Sequence, residues 1–526
     1  MLEFVRRRPL WAAWLTVLVW LLSYVAVKLS SVAGLDIDGA EQVYFAQSWQ
    51  LGYGTRQPPL YTWMLLALRP DGGSWPVALE VARYAVLLAW LGGTQALARA
   101  CGASAGRQAL VVVAHLGFLL AMWRVHDSLT HTVLAAALTT WASAATVKAL
   151  RRPAWWPVVG LLAALACLAK LNAALWCASA VLAWAWLQWR TRDDAPSESL
   201  VQTGLKAPRP GWLAHLAWLG LALLLFAALL GPYAQWWWVQ REVGDLPRRV
   251  LMPSDAVPPW QPPLQLALGT LEYLMLTPAL LAGVAWGLRW RHRLPRPVLP
   301  GGLRWLAAQT PIGLLVLAGV VTALKGAHFT PRWLWPVLPG ATVWLVLWAC
   351  EVAEQHARQT TDPRWPRRLV GVAVSMALLS IAVSALRWWE PERTAQRCRN
   401  CWTDRPAVAF SHALHQWHGE PLRVITGDDH LAGILSAADG RDLTWTAVSP
   451  DLPPPQGFAT TPWTCVAAWV DMDAPQDPPA ELMARTRGAW LGPVQHQTWP
   501  LRLAPQRRLW LQSVILDPAV CDRARP

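Results

Sequence analysis

Six stretches of this chain run for a dozen residues or more without a charged side chain, at 10–27, 86–97, 129–147, 155–169, 212–231 and 305–324. No other feature narrows the possible folds so far. A bilayer core takes roughly 20 mostly apolar residues per helix, and a water-soluble chain rarely carries so many such blocks. The 39 tryptophans agree, because the indole ring favours the membrane–water boundary. The first block reads as an anchor rather than a cleaved signal, since no small-residue cleavage site follows it. Extending each block to its polar flanks predicts about eleven spans, near 10–28, 77–98, 108–123, 128–148, 154–169, 172–189, 212–231, 264–288, 305–324, 333–350 and 369–386. From about Arg387 the pattern changes to mixed polarity, proline-rich turns and strand-like runs such as "LRVITG" and "TCVAAWV". The expected fold is therefore an α-helical polytopic membrane domain over 1–388, with a first outer loop at 30–76, and a small α/β domain over 389–526.

Basic residues orient the bundle. With Arg6, Arg7 and Arg8 in the cytoplasm, alternate loops carry Arg99 and Arg107, then Lys148, Arg151 and Arg152, and later Arg289, Arg291, Arg293 and Arg296. Lys and Arg are retained inside during insertion, so the net charge of +14 is mainly a topology signal. No basic–aromatic stripe on a soluble domain points to nucleic acid. An odd span count puts the C-terminal domain outside. The chain is expected in a bacterial inner membrane, N-terminus cytoplasmic and C-terminal domain periplasmic. Cys398, Cys401, Cys465 and Cys521 all fall in that outer domain, where disulfides form; four cysteines allow three pairings. Cys398-Arg-Asn-Cys401 also has redox or metal spacing, but a metal site wants a second ligand pair and a disulfide is the plainer reading. No cofactor is expected, and no divalent metal is indicated.

With this topology, polar residues from five separate loops share the outer face. Asp38 and Glu41 lie three apart, which places them on one face of a helix. Apolar Ala40, Val43 and Tyr44 then point elsewhere, as suits a helix lying on the membrane surface. The same spacing is a capping box, with Asp38 as N-cap and Glu41 reaching back. Asp127 has a like alternative as the N-cap of the fourth span. Lys170 stands alone in a long uncharged run, where an ionisable group is costly and faces a cavity, a partner or the interface. His328, with Lys325 and Arg332 in one short loop, completes a candidate phosphate cluster. Carboxylates beside cations at a lipid interface suit glycosyl transfer from a lipid phosphate. Cations stabilise the departing phosphate, and a carboxylate takes the acceptor proton. The chain has no Walker A loop and no dinucleotide fingerprint, so a donor already built on a lipid would account for the missing nucleotide-sugar domain.

The stretch "DGAEQVYFAQSWQLGYGTRQPPLYTWMLLAL" at 38–68 resembles the first outer loop of the GT-C glycosyltransferases of family 39, which include aminoarabinose transferases and protein O-mannosyltransferases. "HDSLTHTVLAAAL", "CLAKLNAAL" and "HFTPRWLWPVLP" follow in the family's order. The resemblance covers about 10–350. It implies a polyprenyl-phosphate-linked sugar donor, an inverting transfer, and a lipid, glycan or protein acceptor at the outer face. It implies Asp38, Glu41 and Asp127 as catalytic acids, Arg56, Lys170, His328 and Arg332 as donor-phosphate ligands, and Tyr44 and Tyr61 as substrate contacts. The sequence departs from the pattern twice: Gly39 stands where a second acid is expected, and Gln57 where a lysine precedes Pro58-Pro59. The rival reading is a transporter or flippase of a lipid-linked sugar, which would need polar groups through the membrane and often internal repeats.

Overall fold

The computed structural model describes residues 7–31, 34–53, 57–69, 75–126, 128–193, 212–240, 258, 260–297, 299–324, 329–360, 364–395, 405–438, 440–448, 454–486, 488–501 and 505–523. Arg56, Asp127, Lys325, His328, Cys398 and Cys401 lie outside these. The helical part runs α1 (Pro9–Ser31), α2 (Ile37–Phe45), α3 (Leu60–Leu68), α4 (Trp75–Ala100), α5 (Ala105–Leu116), α6 (Leu119–Met122), α7 (Thr130–Ala149), α8 (Trp156–Ala169) and α9 (Ala173–Asp193). It continues with α10 (Trp212–Gln240), α11 (Gln261–Leu274), α12 (Thr277–Arg291), α13 (Gly301–Ala323), α14 (Leu334–Val337), α15 (Ala341–Thr360) and α16 (Arg364–Ala395). Among the described residues, five helices are long and apolar enough to cross a membrane, and a sixth if Pro331–Val337 and Ala341–Thr360, bent by 74°, form one span. Each expected span contains a helix, but the third, eighth and tenth are broken rather than continuous.

Two of these breaks support each other. The chain pauses at Gly117-Phe118 between α5 and α6, and at Met275-Leu276 between α11 and α12, where Leu276 takes φ +70°. Phe118 and Leu276 form an antiparallel bridge, and the Thr277 N–H donates to the Gly117 carbonyl at 3.4 Å. Backbone freed from a helix at membrane depth must find partners inside the protein. Gly117 makes the approach possible: a Cβ there would stand 2.1 Å from Thr277 Oγ1.

The C-terminal part adds α17 (Ala407–His418), β1 (Leu422–Thr426), α18 (Asp429–Ala438), β2 (Leu443–Thr446), β3 (Thr464–Met472), α19 (Ala480–Thr486), β4 (Gln495–Pro500), β5 (Arg508–Ile515) and α20 (Pro518–Asp522). The sheet order is β2-β1-β3-β5-β4, parallel at β1–β2 and β1–β3, antiparallel at β3–β5 and β4–β5. The two strand-like sequence runs are the central strands β1 and β3. Every residue of β1 is buried, as expected for a strand covered on both faces. Cys465, on β3, pairs with Cys521, on α20.

The two parts meet at α2. It does not lie apolar-face-down on a membrane surface. Ala40 and Val43 are buried in the core shared with the bundle, and Tyr44 joins Ile425 and Trp445 in the core of the sheet domain. Helix α18 crosses α2 so closely that a Cβ on Gly433 would stand 2.0 Å from the Ala40 carbonyl oxygen. Gln47 pairs with the free edge of β2: its amide donates to the Thr444 carbonyl at 3.0 Å and accepts from the Thr444 N–H at 2.9 Å. The side chain stands in for a sixth strand and covers that edge.

Candidate active site on the outer-loop face

Asp36, not Asp38, caps α2. Its carboxylate accepts from the Gly39 N–H at 2.6 Å, the reach of an N-cap side chain to the third helical residue. The other carboxylate oxygen takes a hydrogen bond of 2.9 Å from the guanidinium of Arg83, which is buried on α4 and also donates to the His126 carbonyl. A buried arginine needs such a partner, and this one holds the helix start in place. A Cβ on Gly39 would lie 2.9 Å from Asp36 Oδ1, so a side chain at the position where the family places its second acid would push against the capping carboxylate.

Asp38, relieved of capping, turns to the neighbouring loop. It accepts from the Leu129 N–H at 2.8 Å. Leu129, at φ +73°, is itself the residue before α7, which begins without a side-chain cap from Leu129; the expected cap, Asp127, lies outside the described residues. Glu41 accepts at 3.3 Å from Gln57, the amide standing where the family has a lysine. Lys170 ends α8 in extended conformation and donates to Thr132 Oγ1 at 2.7 Å. Asn172, two residues on, donates to the Trp333 carbonyl at 3.0 Å, which staples the Lys170 turn to the turn carrying Arg332.

These groups feel one another. Burial first, then the Asp36 carboxylate, pushes the Asp38 carboxyl above its usual range, while the Leu129 N–H, Arg332 and Arg83 pull it down. Burial, with Arg332 next, lowers the Lys170 ammonium to about 8 against the opposing pull of Asp38 and Glu41. Asp38, Glu41 and Lys170 nevertheless keep some accessible surface, and the Arg332 side chain is exposed. Among the described residues, Arg332 forms no ion pair.

The two tyrosines part company. Tyr61 is fully buried, its ring 5.4 Å from that of His131, and its hydroxyl has no hydrogen-bond partner among the described residues. It sits within electrostatic reach of Arg83, Asp36 and Asp38. Tyr44 is buried, packed into the core cluster of the sheet domain with Ile425 and Trp445. Arg83 escaped the sequence reading, although it and Glu80 are charges inside an expected span, the signal that usually marks a functional group. Asp36 carried no assigned role either, and only the Arg83 contact reveals one.

No family model matches the chain. It is 25% identical over 424 residues to the lipopolysaccharide core galacturonosyltransferase RgtB of Rhizobium johnstonii, covering 78% of this chain and 78% of that protein. Its fold is similar to that of ArnT from Cupriavidus metallidurans in the apo state, with a TM-score of 0.53, 13% identity, and 96% and 97% of the two chains covered. The same protein bound to undecaprenyl phosphate superposes with a TM-score of 0.50 at 15% identity, over 94% of this chain and 96% of that one. The chain is thus a glycosyltransferase with the GT-C-type fold seen in ArnT. That fold is a helical bundle with a small C-terminal sheet domain.

Proposed function

We propose that this enzyme transfers a sugar from a polyprenyl-phosphate carrier to a membrane-anchored glycan or other lipid, glycan or protein acceptor at the outer membrane face, with inversion. The observation that carries the reading is the convergence of Asp38 and Glu41 with Lys170 and Arg332, drawn from three loops and within electrostatic reach of one another. The similarity to a lipopolysaccharide core galacturonosyltransferase and to a protein crystallised with undecaprenyl phosphate supports both ends of the reaction. In the proposed step the acceptor hydroxyl oxygen bonds to the anomeric carbon as the carbon–phosphate-oxygen bond breaks. The hydroxyl proton passes to the Asp38 carboxylate. Lys170 and Arg332 take up the charge of the departing polyprenyl phosphate, with Arg56 and His328 joining them. Glu41 and Asp127 are the further acids of the site, orienting the acceptor. Tyr61 closes the floor beneath the sugar. The active face is periplasmic and the N-terminus cytoplasmic, as the basic-loop bias requires.

The test is Asp38→Asn, expressed at wild-type level and scored for sugar transfer in membranes supplied with polyprenyl-phosphate sugar. Loss of transfer with unchanged protein abundance and melting temperature is the expected result. Full transfer by this variant would end the assignment of Asp38 as base.

A further inference from the structure

At the end of the bundle opposite Asp38, the last turns of α4 and α7 enclose a cavity of about 730 Å³ whose rim carries Arg99, Lys148, Arg151 and Arg152. Helix α7 sets the separation: Leu129 at its start meets Asp38, and Lys148 lies at its far end. A cation at a helix C-terminus is ordinary, since it complements the helix dipole. Four around one cavity exceed that need. Among the described residues none of the four has a carboxylate at ion-pair distance, whereas Arg107, in the first turn of α5, is held by Glu351 at 2.5 Å and Glu354 at 2.6 Å. Lys148 is steadied over the Trp155 ring at 4.2 Å.

The cavity is layered. Away from that rim its wall is formed by Gly92, Ala96 and Trp141. The Trp141 indole donates to the Ala89 carbonyl at 2.8 Å, and the ring lies against α4 where a Cβ on Gly93 would come within 3.0 Å of it. Gly92 and Arg99 are seven residues apart on one helix, as are Trp141 and Lys148 on the other. The basic rim therefore stands roughly 10 Å along the bundle from the apolar wall. An apolar wall leading to a cationic rim at the membrane boundary matches an amphiphile with an anionic head.

We propose that this cleft is a binding site for an anionic phospholipid, with two phosphodiesters in one headgroup matching the four cations, an acyl chain along Gly92 and Trp141, and the site on the cytoplasmic leaflet. Basic pockets between helices on that side hold such headgroups through charge. The site is separate from the transfer chemistry and does not rest on it.

The experiment is native mass spectrometry of the full-length protein in detergent, with diphosphatidylglycerol, phosphatidylethanolamine or inorganic phosphate added in turn. Wild type is expected to retain diphosphatidylglycerol over phosphatidylethanolamine. The variant R99Q/R151Q/R152Q should retain roughly tenfold less or lower, and R99K/R151K/R152K should restore retention. All three arginines are exposed, so the variants fold, and unchanged glycosyl transfer checks it. Equal retention by wild type and the glutamine variant, or equal retention of the zwitterionic lipid, would overturn the proposal. So would inorganic phosphate stabilising wild type as strongly as the lipid does.

Discussion

Asp36 and Asp38, two positions apart, do different work because different neighbours hold them. Asp36 is spent on Gly39 and Arg83; Asp38 is left with one backbone donor and a raised carboxyl. Removing the Asp38 charge as Asp38→Asn is expected to lower kcat/KM by about a hundred- to ten-thousand-fold, the span of general-base contributions, with no change in unfolding temperature. The pH profile carries the same logic. A base must be ionised, so the rate falls as pH drops through the raised Asp38 value, at higher pH than an ordinary carboxylate would give. Lys170 must be charged to meet phosphate, so the rate also falls as pH rises through about 8. Lys170→Arg keeps its charge at that pH, and its kcat/KM profile should lose the alkaline limb while the acid limb stays. An alkaline limb unmoved in the arginine variant would assign it to another group.

At the scale of elements, α2 is the carrier of the site and α18 is what seats it. The contact is backbone against backbone at Ala40 and Gly433, so a side chain at 433 has nowhere to go. Gly433→Val is expected to part the two helices, cost about 1–3 kcal/mol as overpacking does, and lower transfer together with stability. Differential scanning fluorimetry in detergent, alongside limited proteolysis between the two parts, reads both. Gly117→Val should act similarly, by pushing apart the paired breaks of α5–α6 and α11–α12; a melting temperature equal to wild type would show that the bridge between Phe118 and Leu276 matters little. Helix existence was legible in hydropathy, since each expected span holds a helix. The breaks were not, because Phe118 and Leu276 look like any apolar residues until they meet.

For the whole molecule, the sheet domain seats α2, the helix that carries Asp38 and Glu41, against the bundle. Its stability draws on the Cys465–Cys521 bond, which closes a segment of 56 residues. Replacing both cysteines by alanine is expected to lower stability by roughly 4 kcal/mol from loop-closure entropy, seen as a lower midpoint in thermal unfolding of the purified protein. Transfer activity should fall with it at higher temperature, because α2 loses its seat when the domain loosens.

The sequence by itself pointed to a membrane bundle, a C-terminal α/β domain with strand-like runs at 422–427 and 464–470, and a set of acids and cations expected at one face. Hydropathy, charge bias and strand pattern are local properties, and local order is enough to express them. It could not tell which acid caps α2, that Tyr44 packs into the core of the sheet domain, that Arg83 anchors the helix start, or that Gln47 closes the edge of β2. Each of these depends on a partner far away in the chain, 397 residues in the case of Gln47 and Thr444. A carboxylate's role follows from who donates to it and how far it is taken from water, and only the tertiary structure brings those donors and that desolvation together.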